Sequence, residues 1–280
     1  MKISNIEIRM CRHAQSLMKD TEMRDGKKSD LEFLVITFET DENLSASTFG
    51  FAGRGATMAG EIANSIFKPF FLNKDPLYRE KHWHEYRMAD RWWNHAPIYS
   101  YGPFDINCWL LSALKAEQPL YKYLGAYRDT VPIYASSLVL DSPDAYAKEA
   151  LEYKARGFNA YKLHPPGNYD FDLEAHKAVR KAVGDEFNLM SDPVAPYTFE
   201  EALRFGRELE KLNYYWYEEP LFDENFHGLR ELTRILDIPI IGTEVIAKHP
   251  YSVAECISTR VVDMVRADVS WSGGITATMK

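Results

Sequence analysis

The sequence predicts an α/β protein in two parts, an α+β domain in residues 1–125 and a strand–helix repeat in residues 126–280. In the first part, three strand-like segments precede a long stretch of helical periodicity. In the second part, six strand-like segments alternate with five helix-like segments at nearly constant spacing. This alternation is typical of βαβ units in a parallel sheet, and both an open doubly wound sheet and a (β/α)8 barrel accommodate it.

Three strands are predicted at the start of the chain. Residues 2–10 alternate apolar and polar side chains with one slip, and the segments LEFLVITFET (31–40) and SASTFGFAG (45–53) have the composition of strands. The charged segment between the first two strands is typical of a loop. From residue 56 to about residue 125 the pattern becomes helical, and prolines mark its breaks.

The repeat of the second part begins at residue 131. Its six strand-like segments are VPIYASS, NAYKLHPP, FNLMSDP, YYWYEEP, IPIIGTE and DMVRADVS. Among the helix-like segments between them, TFEEALRFGRELEKLN begins with a capping box formed by Thr198 and Glu201. Because the sequence has neither a GxGxxG nor a GxxxxGK[ST] motif, nucleotide binding has no support, and the strand ends become the place to look for a site.

Composition narrows the class of protein. The chain has 280 residues and a formal net charge of −8, which argues against nucleic acid or an anionic membrane as the main partner. Its three cysteines are far apart and odd in number, so neither a disulfide framework nor a CxxC metal site is indicated. Since no signal peptide and no membrane-length apolar run occurs, we expect a soluble cytoplasmic protein.

Ionisable residues stand at the ends of the second to sixth predicted strands. They are Lys162 and His164, then Asp192, then Glu218 and Glu219, then Glu244, and last Asp268. Residues 192, 218 and 244 are spaced evenly, 26 residues apart, so these acids occupy equivalent heights on three adjacent strands. A single acid at a strand end is more often a helix cap. Three converging carboxylates repel one another, and a hard cation such as Mg²⁺ or Mn²⁺ removes that repulsion.

The chain resembles the enolase superfamily, and within it the mandelate racemase-like acid-sugar dehydratases and racemases. The resemblance rests on YKLH, VGDEFNLMSDP, YWYEEP, IIGTE and VRADVSWSGGIT, which match family blocks in order, and on FDINCWLLSALKAEQPLYKYLG near the end of the first part. It implies a (β/α)8-type (TIM-like) barrel preceded by an α+β capping domain that closes over the barrel mouth.

The resemblance also implies roles for the residues at the strand ends. Asp192, Glu218 and Glu244 match the three Mg²⁺ ligands, and the metal would chelate a substrate carboxylate and stabilise the enediolate formed when the α-proton leaves. Lys162 and His164 match the pair of which the second member is the general base. The family usually has Lys where His164 stands. Histidine has a reference pKa of about 6.5, so it needs no large depression of its pKa to act near neutrality.

The family barrel departs from this sequence after the sixth strand. Asp268 matches the Asp of a catalytic His–Asp dyad, whose His lies at the end of the seventh family strand. Six strands would leave an open sheet with two unpaired edges. We therefore expect roughly two further βα units beyond residue 280, each of about 26 residues by the repeat.

Substrate specificity is expected to come from the capping domain. The loop 15–30 and the turn GFAGRG (50–55) are the candidate lid segments, because glycines permit hinge motion and close approach. Arg54 is a candidate for binding a distal carboxylate or hydroxyl of the substrate, although a solvated surface arginine is equally consistent with the pattern. Glu219 is the second candidate substrate-binding residue.

Three functional hypotheses follow. The first is an Mg²⁺-dependent lyase that dehydrates an acid sugar, an aldonate or aldarate, through α-proton abstraction. The second is a racemase or epimerase of a 2-hydroxy acid on the same scaffold. The third is a non-catalytic relative or inactive fragment that binds an acid sugar. In each case the partner is a small carboxylate, and the family resemblance implies a homo-oligomer.

Overall fold

The computed structural model describes most of the chain. The described residues are 1–13, 31–53, 55–91, 96–244 and 250–280, without the side chains of 51–53. The predicted loop 15–30 and Arg54 lie outside these ranges. Within the described ranges, no helix is both long and apolar enough to span a bilayer.

An antiparallel three-stranded sheet begins the chain, in the order β1–β2–β3, as the sequence predicts. The strands are β1 (Ile3–His13), β2 (Leu31–Thr40) and β3 (Ser45–Gly53). One face of β2 is buried at every second residue: Leu34, Ile36, Phe38 and Thr40. This period of two places one face of the sheet against the helices that follow.

Five α-helices follow these strands among the described residues of the first part. They are α1 (Ala56–Ile62), α2 (Lys68–Phe71), α3 (Arg79–Ala89), α4 (Ile98–Lys115) and α5 (Leu120–Tyr123), and the π-helical turn Ala63–Phe67 joins α1 to α2. Aromatic rings fill the core beneath them. Phe71 stacks on Phe104 with ring centroids 5.5 Å apart, and Tyr86 stacks on Tyr101 at 4.3 Å. The aromatic residues of this region therefore build a packed core of their own.

A parallel six-stranded sheet forms the second part, and each strand pairs with the next along the chain. The strands are β4 (Ala135–Ser136), β5 (Ala160–Leu163), β6 (Asn188–Ser191), β7 (Trp216–Glu218), β8 (Ile240–Gly242) and β9 (Met264–Val265). The six predicted strands are confirmed, but each is shorter than its predicted segment. Some residues just beyond the paired strands still hydrogen-bond to the neighbouring strand, as Asp192 N does to Leu163 O at 2.9 Å.

Helices alternate with these strands. They are α6 (Pro143–Ala155), α7 (Tyr169–Val183), α8 (Phe199–Lys211), α9 (Phe226–Ile235), α10 (Pro250–Ser258) and α11 (Ile275–Thr278). The predicted capping box at the start of α8 is present, with Thr198 N donating to Glu201 at 2.9 Å. Ala202, Phe205 and Leu209 are buried at helical spacing, so α8 presents one apolar face to the sheet.

Helix α4 of the first part contacts the segment that follows β9. Asp105 accepts hydrogen bonds from Thr276 N (2.9 Å) and Thr276 Oγ1 (2.6 Å), and Trp109 Nε1 donates to Thr276 Oγ1 at 2.9 Å. Gly102 lies against the backbone of Ser270 so closely that no side chain would fit between them. The two parts are therefore joined by buried hydrogen bonds and by direct packing of backbone on backbone.

This contact brings α11 into the first part. Ala277 is buried within the hydrophobic core that β1–β3 and the early helices build. The sequence-based boundary between residues 125 and 126 stays a prediction, and it did not anticipate that residues near 276 pack with α4.

Replacing Gly274 by Ala should destabilise the protein through this contact. Gly274 has φ of +91°, and an added Cβ would collide with the side chain of Asp105. Gly157 is a matched control, since its φ is +90° and nothing lies within 4 Å of the Cβ it would gain. We expect Gly274→Ala to lower the free energy of unfolding by about 1–3 kcal/mol more than Gly157→Ala. Urea unfolding of both variants measures the difference. Equal effects would show that Asp105 moves aside without loss of stability.

Candidate functional site

The predicted site residues lie at the edge where the parallel strands end. Lys162 is the third residue of β5, Asp192 follows β6 directly and Glu218 is the last residue of β7. Glu244 stands two residues beyond β8. Parallel strands place their carboxyl ends at one edge, which is where sheets of this kind present their active sites.

Lys162 links two of the predicted metal ligands. Its Nζ donates to Asp192 Oδ2 at 2.7 Å and to Glu218 Oε2 at 2.9 Å, and all three side chains are at most 4% exposed. Burial by itself would lower the pKa of Lys162, but the charges of the two carboxylates outweigh it and raise that pKa. Lys162 is therefore a fixed cation between two buried anions.

Arg266 continues this network. Its Nη1 donates to Glu218 Oε1, and its Nη2 donates to Glu244 Oε1 at 2.6 Å. Burial opposes its charge, yet the contact with Glu218 raises the pKa of Arg266 further. Lys162 and Arg266 thus link Asp192, Glu218 and Glu244 in a chain of alternating anions and cations. Arg266 is not among the site residues predicted from the sequence, although an arginine inside a strand-like segment, two positions before Asp268, was the available signal.

His164 contacts the same acid as Lys162. Its Nε2 lies 2.9 Å from Asp192 Oδ2, and its Nδ1 lies 2.8 Å from the carbonyl oxygen of Ser137. The hydroxyl of Ser137 accepts a hydrogen bond from His164 N at 2.9 Å. Ser137 therefore orients both the ring and the backbone of His164. Ser137 is not among the predicted site residues, and its place at the end of VPIYASS was the only signal for it.

The acids of the network differ in their protonation behaviour. Burial opposes ionisation of Asp192, but the hydrogen bond from His164 and the charge of Lys162 prevail and lower its pKa to about 2. For Glu244, burial outweighs the attraction of Arg266 and raises the pKa. Asp192 is thus held as an anion more firmly than Glu244.

Glu219 and Asp268 are not part of the chain of ion pairs that links Asp192, Glu218 and Glu244. Glu219 Oε1 accepts a hydrogen bond from Glu244 N at 2.9 Å, and burial, reinforced by the charge of Asp223, raises the pKa of Glu219 to about 8. Asp268 Oδ1 accepts from Trp271 N at 3.0 Å in the turn after β9. Among the described residues, no hydrogen bond or ion pair joins Asp268 to Lys162 or His164.

The three predicted metal ligands are all carboxylates, and their chemistry indicates which metal ion they could bind. Asp192, Glu218 and Glu244 offer only carboxylate oxygens, the ligands that Mg²⁺ prefers. In the part of the chain that the structure describes, no three acidic, His or Cys side chains yet surround a single point. Lys162 and Arg266 lie between the acids and hold them apart. The chemistry of the donors fits a hard divalent cation, provided that these two cations share the carboxylates with it.

Comparison with known proteins identifies the family. A family model described as "Enolase C-terminal domain-like" matches residues 145–280. Arabinonate dehydratase of Saccharolobus solfataricus is 31% identical over 263 residues, which cover 89% of this chain and 68% of that protein. The chain belongs to the enolase superfamily.

Other enolase-superfamily proteins match over nearly the whole chain. The crystal structure of D-glucarate dehydratase from Agrobacterium tumefaciens complexed with magnesium superposes with a TM-score of 0.88 at 28% identity, covering 99% of this chain and 76% of that one. The hydrophobic dipeptide epimerase of Enterococcus faecalis is 26% identical, covering 100% of this chain and 78% of that protein. The family and fold class predicted from phrases such as YEEP and GTE are therefore confirmed.

Proposed function

We propose that this chain is an Mg²⁺-dependent carbon–oxygen lyase that dehydrates an acid sugar, an aldonate or aldarate. Names of relatives support the substrate class, since arabinonate dehydratase and D-glucarate dehydratase are among them. The observation that carries the reaction type is the position of Lys162 and His164, which both contact Asp192 Oδ2. A candidate base, a fixed cation and a candidate metal ligand thus meet within hydrogen-bonding distance.

Asp192, Glu218 and Glu244 are the residues that would hold Mg²⁺, and Mn²⁺ suits the same oxygen donors. The ion supplies Lewis-acid stabilisation for negative charge on the substrate carboxylate. Glu219 supports this set, because it accepts the backbone N–H of Glu244 and so orients the third ligand. The substrate-binding roles of Glu219 and Arg54 stay predictions.

His164 is the proposed general base. Its Nδ1 faces the carbonyl oxygen of Ser137, which accepts a hydrogen bond and therefore keeps a proton on Nδ1. Nε2 is then the atom that takes the α-proton of the substrate. In the structure Nε2 lies against the carboxylate of Asp192, a contact that needs a proton on Nε2. Nε2 can accept the α-proton only in the form of the ring in which it carries no proton.

The remaining steps follow from the chemistry of dehydration. As the α-proton moves to His164, the electron pair of the C–H bond becomes the enediolate of the substrate. In this proposal the charge of Lys162, whose Nζ lies 2.7 Å from Asp192 Oδ2, stabilises that anion. The β-carbon–oxygen bond then breaks, the leaving hydroxyl takes the proton that His164 received and departs as water, and the resulting enol tautomerises to a 2-keto acid. Asp268 is the third predicted catalytic residue and stays a proposal, as do a homo-oligomeric state and a cytoplasmic location.

A panel of aldonates and aldarates incubated with the purified protein and Mg²⁺ tests this function. We expect formation of a 2-keto-3-deoxy acid, detected with semicarbazide, from at least one member of the panel. Activity should disappear with EDTA and return with excess Mg²⁺. Absence of any keto acid across the panel, with divalent-cation binding intact, would contradict the dehydratase assignment.

A racemase or epimerase reaction is the second candidate, since the dipeptide epimerase of Enterococcus faecalis matches the whole chain. Exchange of the substrate α-hydrogen with deuterium from solvent, with inversion and without loss of water, would select it. Binding of an acid sugar without exchange or turnover would instead select the non-catalytic alternative.

A further inference from the structure

Arg266 is held between two acids by the fold itself. Its guanidinium donates to Glu218 and Glu244, the second at 2.6 Å. Its backbone N–H donates to Gly242 O at 3.0 Å, and Thr243 Oγ1 donates to Arg266 O at 2.8 Å. The pairing of β8 with β9 therefore fixes the backbone of Arg266. The ion pairs of its guanidinium with Glu218 and Glu244 thus differ from a contact between two mobile side chains on the surface.

The bridge engages the oxygens that a metal ion would use. Glu218 is 1% exposed, and both its oxygens already accept from cations, Oε1 from Arg266 and Oε2 from Lys162. Glu244 gives Oε1 to the same guanidinium. A divalent cation bound by these acids must share their oxygens with Arg266 or displace it, and it must stand near a second positive charge.

The formal charge of the site gives Arg266 a second effect. With a neutral His164, the three carboxylates and two cations leave a formal charge of −1, which a divalent cation would change to +1. Without Arg266 the loaded site would be neutral. A site with a positive formal charge attracts a substrate carboxylate, and the attraction is strong where water is largely excluded.

We propose that Arg266 weakens divalent-cation binding by competing for Glu218 and Glu244, and strengthens binding of the substrate carboxylate once the cation is in place. Arg266 is a positioning residue in this scheme, because it acts through the ligands and the charge of the site. The inference rests on the proposed metal site and on a carboxylate ligand. It does not depend on whether dehydration or epimerisation follows.

Arg266→Gln separates the two effects by binding measurements alone. Mn²⁺ is the metal probe, and the electron paramagnetic resonance signal of the free ion reports its binding. Glycolate is the carboxylate probe, a 2-hydroxy acid without a β-hydroxyl to lose, titrated calorimetrically into Mn²⁺-saturated protein. We expect Arg266→Gln to bind Mn²⁺ about tenfold more tightly than the wild type and glycolate about tenfold more weakly.

Two further variants serve as controls. Arg234→Gln makes the same chemical change at an exposed surface pair with Glu231, and both probes should bind it as they bind the wild type. Arg266→Lys keeps the charge but loses the two-pronged bridge, so it should keep most of the glycolate affinity while still binding Mn²⁺ more tightly than the wild type.

Equal or weaker Mn²⁺ binding by Arg266→Gln would overturn the competition, because the guanidinium would then be assembling the ligands. Unchanged glycolate affinity would overturn the charge effect. A wild type that binds Mn²⁺ and glycolate but forms no keto acid would count against the dehydratase reaction alone, so the two failures are distinguishable.

Discussion

Lys162→Met is expected to cost about 3–5 kcal/mol of unfolding free energy and to abolish turnover. The substitution leaves Asp192 and Glu218 buried beside each other without the ammonium that lies between them. Glu218 keeps Arg266 and Asp192 keeps His164, but the repulsion between the two buried carboxylates is no longer offset by the ammonium, and this costs more than the loss of one exposed ion pair. Chemical denaturation in the presence of EDTA measures the loss of stability, and a keto-acid assay measures turnover.

The control for this prediction is Lys211→Met. Lys211 pairs with Glu208 on the exposed surface of α8, and we expect its loss to cost less than about 1 kcal/mol. Added Mg²⁺ should recover more stability in Lys162→Met than in the wild type, since the cation replaces the missing positive charge. A Lys162→Met protein as stable in EDTA as Lys211→Met would contradict this account of the buried network.

His164→Asn is expected to lower turnover by a factor of about 10²–10⁴ while leaving the fold intact. Asparagine can still donate to the carbonyl oxygen of Ser137, but it has no nitrogen able to take a proton from substrate. Asp192 keeps its hydrogen bond from Lys162, so the network persists. Steady-state kinetics give the loss of turnover, and thermal unfolding checks the fold.

His227→Asn is the matched control, because His227 is exposed on α9 and should tolerate the change without loss of activity. Deuterium exchange gives the decisive readout. If His164→Asn still exchanges the α-hydrogen of the substrate with solvent at the wild-type rate, another group removes the proton, and His164 has a different role.

The βα repeat is the part of the fold that the sequence predicts best. The equal spacing of residues 192, 218 and 244 predicted side chains at matching strand ends, and the structure brings these acids into one network. The spacing works because one βα unit is a physical repeat, so equal intervals along the chain become equal heights in the sheet. The same logic placed Lys162 and His164 beside Asp192.

Contacts that depend on how far a side chain extends could not be predicted from the spacing of residues. The sequence put Arg266 in a strand, but nothing in its spacing showed that the guanidinium would span Glu218 and Glu244. The contact of Asp105 with Thr276 joins residues 171 positions apart, and no local pattern encodes such a pairing. The last predicted strand, DMVRADVS, shrinks to Met264–Val265, since Asp268 accepts from Trp271 N in a turn.

The buried contact between Asp105 and Thr276 makes the free energy of unfolding depend on pH. Burial raises the pKa of Asp105 from its ordinary value of 3.8 to about 6, although the hydrogen bonds from Thr276 oppose the rise. The folded protein therefore binds this proton more tightly than the unfolded chain does. The resulting stabilisation is complete below about pH 3.8 and is lost as the pH rises through about 6. Near neutrality the Asp105 carboxylate is charged, and the contact between α4 and the segment after β9 then buries an anion, which lowers the free energy of unfolding.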